Sequence, residues 1–104
     1  MRNGDFVTVA RVDGCREGQP LQVWVDDRPL ALCRVGEKVY AISDLCTHQA
    51  TFLSEGRLEG TVIECPAHGA RFDVTTGKVL RLPAVKAVKT YPVRVVDGDI
   101  QVQA

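Results

Sequence analysis

Two short segments constrain this chain more than anything else in it. Cys46-Thr47-His48 and Cys65-Pro66-Ala67-His68 each set a cysteine beside a histidine. The chain has only two histidines, and sixteen residues separate His48 from Cys65. Each segment offers one soft thiolate and one imidazole from a short turn. Together they supply four ligands, enough to close a metal site.

The rest of the chain reads as all-β. Turn signals recur every several residues, with short β-prone runs between them. The pattern predicts strands over residues 6–12, 21–25, 30–35, 39–43, 61–65, 71–74, 79–82, 91–96 and 100–103. Leu21, Val23 and Val25 share one face, and Tyr91, Val93 and Val95 share another, because strand side chains switch faces at each residue. Asp26-Asp27-Arg28-Pro29 and Gly36-Glu37-Lys38 read as turns. Asp97-Gly98 is the strongest hairpin signal, since glycine accepts the positive φ of a primed turn. Pro92 implies a strand edge or a strand start. No useful window shows helical periodicity. Residues 50–60 read as irregular, and they lie between the two Cys/His pairs. An irregular insert in so small a domain calls for something to hold it.

At 104 residues the chain fits one domain, 1–104, with a modest core. Apolar residues at 45% and charged residues at 25% mark an ordinary soluble globular protein. The formal net charge is zero. That removes the main argument for nucleic acid, which selects basic surfaces, and for a polybasic membrane tether. No apolar stretch is long enough to span a bilayer. Met1-Arg2-Asn3-Gly4-Asp5 lacks the marks of a secretory signal, so a cytoplasmic location is expected. In a reducing compartment the four cysteines are read as metal ligands or plain thiols, not a disulfide framework.

The mixed pairs discriminate between metals. Structural zinc with two cysteines and two histidines usually pairs like with like. A Rieske centre has two irons, one held by two thiolates and the other by two imidazoles. Two parallel loops, each offering one Cys and one His, meet that need, with one ligand from each loop to each iron.

The sequence resembles the Rieske family, whose motif is Cys-x-His followed by Cys-x-x-His. The likeness extends through Leu53-Ser54-Glu55-Gly56, Val62-Ile63-Glu64-Cys65-Pro66, Arg71-Phe72-Asp73-Val74, Thr76-Gly77-Lys78 and Leu82-Pro83-Ala84. These segments look like the soluble Rieske ferredoxins of bacterial aromatic-ring dioxygenase systems. The resemblance implies three small antiparallel sheets, with a [2Fe-2S] cluster held by two loops at one tip. It makes Cys46, His48, Cys65 and His68 the metal- and cofactor-binding residues. By that resemblance Cys46 and Cys65 hold the inner iron, and His48 and His68 the outer iron near solvent.

Departures from the family's high-potential members are informative. Those members carry an extra cysteine in each loop, joined by a disulfide; the matching positions here look like Thr51 and Ala67. They also place Ser and Tyr hydroxyls near the sulfurs; here those positions look like Ala70 and Phe72, which have no donor. Hydrogen bonds to sulfur favour the reduced state, so their loss lowers the potential. The expectation is the lower part of the Rieske range of roughly −150 to +300 mV. Cys15 and Cys33 are read as ordinary thiols, with Cys33 buried as a small hydrophobe. Trp24 is read as a packing residue. Gln49, Phe52, Leu53 and Pro66 are assigned to the tip that meets partners, and Pro83, by resemblance, to a third loop beside it.

The function implied is one-electron shuttling from a flavin-containing ferredoxin reductase to a terminal ring-hydroxylating oxygenase, by a chain that is not itself an enzyme. A lone carrier is most simply a monomer. Three other readings stay open: the small subunit of an assimilatory nitrite reductase, a zinc-stabilised binding module, and a domain in which the motif is vestigial. A Rieske domain of a larger oxygenase would be followed by a catalytic domain, for which a chain ending at Ala104 is expected to leave no room.

Overall fold

The run Leu30-Ala31-Leu32-Cys33 is completely buried. A strand accepts such a continuous apolar run only where both of its faces are covered. The computed structural model, which describes residues 5–47, 51–67, 69–82, 84 and 86–104, shows how this is met. The strands are β1 (Phe6–Arg11), β2 (Leu21–Val25), β3 (Arg28–Val35), β4 (Lys38–Ser43), β5 (Arg57–Glu59), β6 (Val62–Glu64), β7 (Arg71–Asp73), β8 (Val79–Arg81), β9 (Thr90–Tyr91), β10 (Val93–Val96) and β11 (Asp99–Gln103). Short 3-10 turns occur at Val12–Gly14 and Leu53–Glu55. The named strands of the described residues pair antiparallel in three sheets, ordered β1-β11-β10, β2-β3-β4-β9 and β5-β6-β7-β8, and an isolated parallel bridge joins Glu17 to Arg34.

The sheet β2-β3-β4-β9 lies between the other two. Ala31, Cys33 and Ile42 pack with Leu58, Ile63, Phe72 and Val74 of the β5–β8 region. Leu30, Leu32, Val39 and Ala41 point the other way, into a core shared with Ile100 and Val102 of β11. Alternation along β3 thus divides one buried strand between two cores. Among the described residues no helix is long and apolar enough to cross a membrane.

The predicted strands hold, with four local differences. The turn before β3 is only two residues long, with Asp26 at φ 56°, so Arg28 and Pro29 belong to the strand and Pro29 pairs with Trp24. Proline is tolerated so near a strand start. The 91–96 strand is broken at Pro92, with β9 in the central sheet and β10 beside β11. Tyr91 and Val93 still pack on the core, but Val95 is exposed. Residues 50–60 contain β5, too short for alternation to register in the sequence, with Leu58 its one buried side chain. Trp24 does not pack in the core and is 53% exposed. It points away from Val23 and Val25, and the ring of Phe52 lies edge-on to it at 6.4 Å.

Candidate metal centre

Cys46 and Cys65 open two loops that are built alike. The amide of Cys46 donates to the carbonyl of Thr51 at 2.9 Å, and the amide of Cys65 donates to the carbonyl of Ala70 at 2.7 Å. Each cysteine therefore closes a loop with the residue five positions on. The second loop is tightened further by the Gly69 amide, which donates to the Cys65 carbonyl at 3.1 Å. Gly69 does so at φ 77°, a conformation that suits glycine.

Both cysteines are buried, and they share one core with Leu53, Ile63, Ala70, Phe72 and Ala84. Ala70 and Phe72 are thus packing residues, and neither offers a hydroxyl. Pro66, Ala67 and Thr47 are exposed, so the far side of the loops faces solvent. Leu53, assigned to the tip, is fully buried, because the 3-10 turn folds it into the core. Thr51 and Phe52 are partly exposed. His48, Gln49, His68 and Pro83 lie outside the described residues.

Three contacts fasten the loops to the body of the protein. Thr47 Oγ1 donates to the Lys86 carbonyl at 2.7 Å. Gly56 runs so close to the second loop that a Cβ there would collide with the Glu64 carbonyl and lie 3.1 Å from Pro66 Cδ. Asp44, two residues before Cys46, is fully buried and binds both ends of the first loop region. Its Oδ1 accepts from the Ser54 amide at 2.6 Å, and its Oδ2 accepts from Ser54 Oγ at 2.6 Å and Gln22 Nε2 at 2.8 Å. The Leu53 amide donates to the Asp44 carbonyl at 2.7 Å. Sequence reasoning passed over Asp44. The available signal was an acidic residue directly after an apolar strand, where a buried charge must be satisfied.

No disulfide joins the four cysteines, all of them buried. Burial raises the Cys15 thiol above its usual range, while Arg34 opposes this. Burial pushes Cys33 up to about 12, with smaller contributions from Cys15 and Asp44. Both side chains pack in the apolar cores, Cys33 with Ile42 and Phe72 and Cys15 with Leu32 and Ile100.

Two thiols, buried in one core and each opening a loop that closes five residues later, fit a group that needs one sulfur from each loop. Among the described residues no cluster of three or more His, Cys, Asp or Glu side chains forms a rival metal site.

Comparison with known proteins shows the family. The Rieske [2Fe-2S] domain family model matches residues 5–92. The chain is 45% identical over 91 residues to the ferredoxin component of the naphthalene 1,2-dioxygenase/salicylate 5-hydroxylase systems of a Ralstonia species, with 88% of each chain covered. Its fold matches the ferredoxin of carbazole 1,9a-dioxygenase from Nocardioides aromaticivorans IC177 with a TM-score of 0.90 and 40% identity, over 93% of this chain and 95% of that one. It also matches a chain from the complex of reduced oxygenase and oxidized ferredoxin in carbazole 1,9a-dioxygenase, with a TM-score of 0.87 and 39% identity, over 92% of this chain and 99% of that one. The chain belongs to the Rieske [2Fe-2S] family. Its cofactor is a Rieske-type [2Fe-2S] cluster, and it is an electron-transfer component of an aromatic dioxygenase system, not an enzyme.

Proposed function

We propose that Cys46 and Cys65 hold one iron of the cluster and His48 and His68 the other. Residues 1–104 then work as one cytoplasmic, monomeric unit. It takes single electrons from a flavoprotein reductase and delivers them to a terminal ring-hydroxylating oxygenase. The observation that carries this reading is the matched pair of loops, each opened by a buried cysteine and closed five residues later.

When bound, the cluster supplies a one-electron couple. The chain's own residues do the rest. Leu53, Ile63 and Phe72 exclude water from the sulfur side. Thr47, Pro66 and Ala67 are exposed, so a partner can approach this part of the two loops closely. A zero formal charge suits a carrier that docks weakly and leaves after each transfer, without strong long-range steering. With Ala70 and Phe72 in place of hydroxyl donors, the potential falls in the lower part of the Rieske range.

The test is an electron paramagnetic resonance spectrum of the anaerobically purified, dithionite-reduced protein, with iron and zinc measured on the same sample. About two irons per chain and a rhombic signal with average g below the free-electron value are expected. A silent spectrum with about one zinc per chain would overturn the reading.

A further inference from the structure

We propose that residues 78–87 form a cationic docking lip, and that the partner it fits is the electron donor, a flavoprotein reductase with an acidic contact surface. This deepens the function proposed above and rests on it. The zero formal charge conceals an uneven distribution. Between Asp73 and Asp97 the chain carries five of its thirteen cations and none of its thirteen acids. Two of the five lie on aromatic rings, Arg94 over Phe6 at 4.3 Å and Lys89 over Tyr91 at 5.4 Å. Lys78, Arg81 and Lys86 are exposed, and no ion pair among the described residues involves them. Leu80 and Leu82 stand among these three, 48% and 69% exposed. An edge strand guarded only against stray pairing needs the charges but not the leucines. An exposed apolar pair rimmed by charge marks a protein contact.

The backbone fastens this lip to the first ligand loop. The Val88 amide donates to the Gly77 carbonyl at 2.9 Å and closes the neck of the excursion. Ala84, within it, is buried in the core that also holds Cys46 and Cys65. The Lys86 carbonyl takes Thr47 Oγ1, one residue past Cys46. Cations on such a lip speed the encounter with an acidic surface, although the chain as a whole is neutral. The sign selects the donor over the acceptor. A carrier that takes up one electron becomes more negative by one charge, so its hold on an acidic surface weakens once it is reduced. It therefore leaves an acidic donor when loaded, whereas an acidic acceptor would hold it more tightly once emptied.

The experiment compares the wild-type holoprotein with the double variant Arg81→Glu, Lys86→Glu, with Lys78→Glu, and with the control Lys38→Glu, an exposed lysine at the opposite end of β4 from the ligand loop. Iron content and the paramagnetic resonance spectrum are recorded for each. The first probe is poly-L-glutamate, whose binding to the oxidised and the reduced protein is measured by calorimetry. The second is reduced flavodoxin, an acidic flavoprotein, whose anionic flavin gives one electron to the oxidised protein with no proton moved. Wild type and Lys38→Glu are expected to bind poly-L-glutamate, more tightly when oxidised. Their reduction by flavodoxin should slow about tenfold as salt rises from ~20 to ~200 mM. The double variant should lose the binding and react about tenfold more slowly than wild type at low salt, with Lys78→Glu between them. Binding and rates equal to wild type in the loaded double variant would overturn the proposal. Binding as tight or tighter in the reduced protein would overturn the assignment to the donor and give the lip to the oxygenase. Should the double variant fail to hold iron, Lys78→Glu with wild-type binding and salt dependence would overturn the proposal alone. A wild-type protein without the rhombic signal would remove the function proposed above, while calorimetry on that protein still decides whether the lip binds carboxylates.

Discussion

Thr47 Oγ1 donates a 2.7 Å hydrogen bond to the carbonyl of Lys86. Residue 47 lies between two proposed ligands, and residue 86 lies thirty-nine positions away on a different loop. The contact therefore ties the first ligand loop to the segment that follows β8.

Thr47→Val removes this bond and leaves a carbonyl that water can reach. The expected cost is about 1 kcal/mol of stability, with faster loss of iron to a chelator. Thr47→Ser should restore both. Equal iron-release rates in all three proteins would refute the tie.

Gly56 is required by space, since a Cβ would strike the Glu64 carbonyl just before Cys65. Gly56→Ala should cost about 1–3 kcal/mol, as overpacking does, and reduce the iron bound per chain. Gly14→Ala is the control, since nothing lies within 4 Å of its Cβ position, and it should stay within about 0.5 kcal/mol of wild type. Urea denaturation and iron analysis decide both.

Cys33 adds a pH term. Its thiol is pushed up to about 12 in the folded chain against 9.0 when unfolded. The folded state therefore holds the proton more tightly. The stabilisation is complete below pH 9 and is lost as pH rises toward 12. The slope is at most ~1.4 kcal/mol per pH unit. Cys33→Ala should be weaker at neutral pH but fall less steeply between pH 9 and 11. Parallel slopes in urea midpoints would count against it. The same buried thiol should resist alkylation in the native protein.

Trp24 tests the exposed aromatic pair. With half its surface in solvent and an edge contact to Phe52, Trp24→Ala should cost about 0.5–1.5 kcal/mol. A core tryptophan would cost roughly 3–5 kcal/mol, and a loss of that size in thermal melts would show that the contact has been misjudged.

The sequence revealed most where a residue type and its spacing carry chemistry. The alternation of Leu21, Val23 and Val25, the Asp97-Gly98 hairpin and the pairing of Cys46 with Cys65 in one core were all legible. Hidden features were those decided by what lies across from a residue. Trp24 looks like core until the uncovered face of β2 is seen. Leu53 looks like a loop tip until the 3-10 turn buries it. Arg57-Leu58-Glu59 is too short to announce a strand. Asp44 gives no local sign of its three donors, because Gln22 and Ser54 lie twenty-two residues before and ten residues after it.

The strands β5–β8 are all contributed by chain between β4 and β9, and those two strands pair with each other, Ala41 opposite Tyr91 and Ile42 opposite Thr90. The sheet that carries the proposed second ligand loop thus leaves and re-enters the scaffold through neighbouring strands, like a cartridge in a socket. Such a cartridge can be exchanged. Transplanting residues 44–89 between scaffolds of this architecture, with Ala31, Cys33 and Ile42 matched to its apolar underside, should carry the redox character with the insert and leave the rest of the surface to the host. Evolution has the same freedom, and can retune the electron chemistry without redrawing the remainder of the molecule.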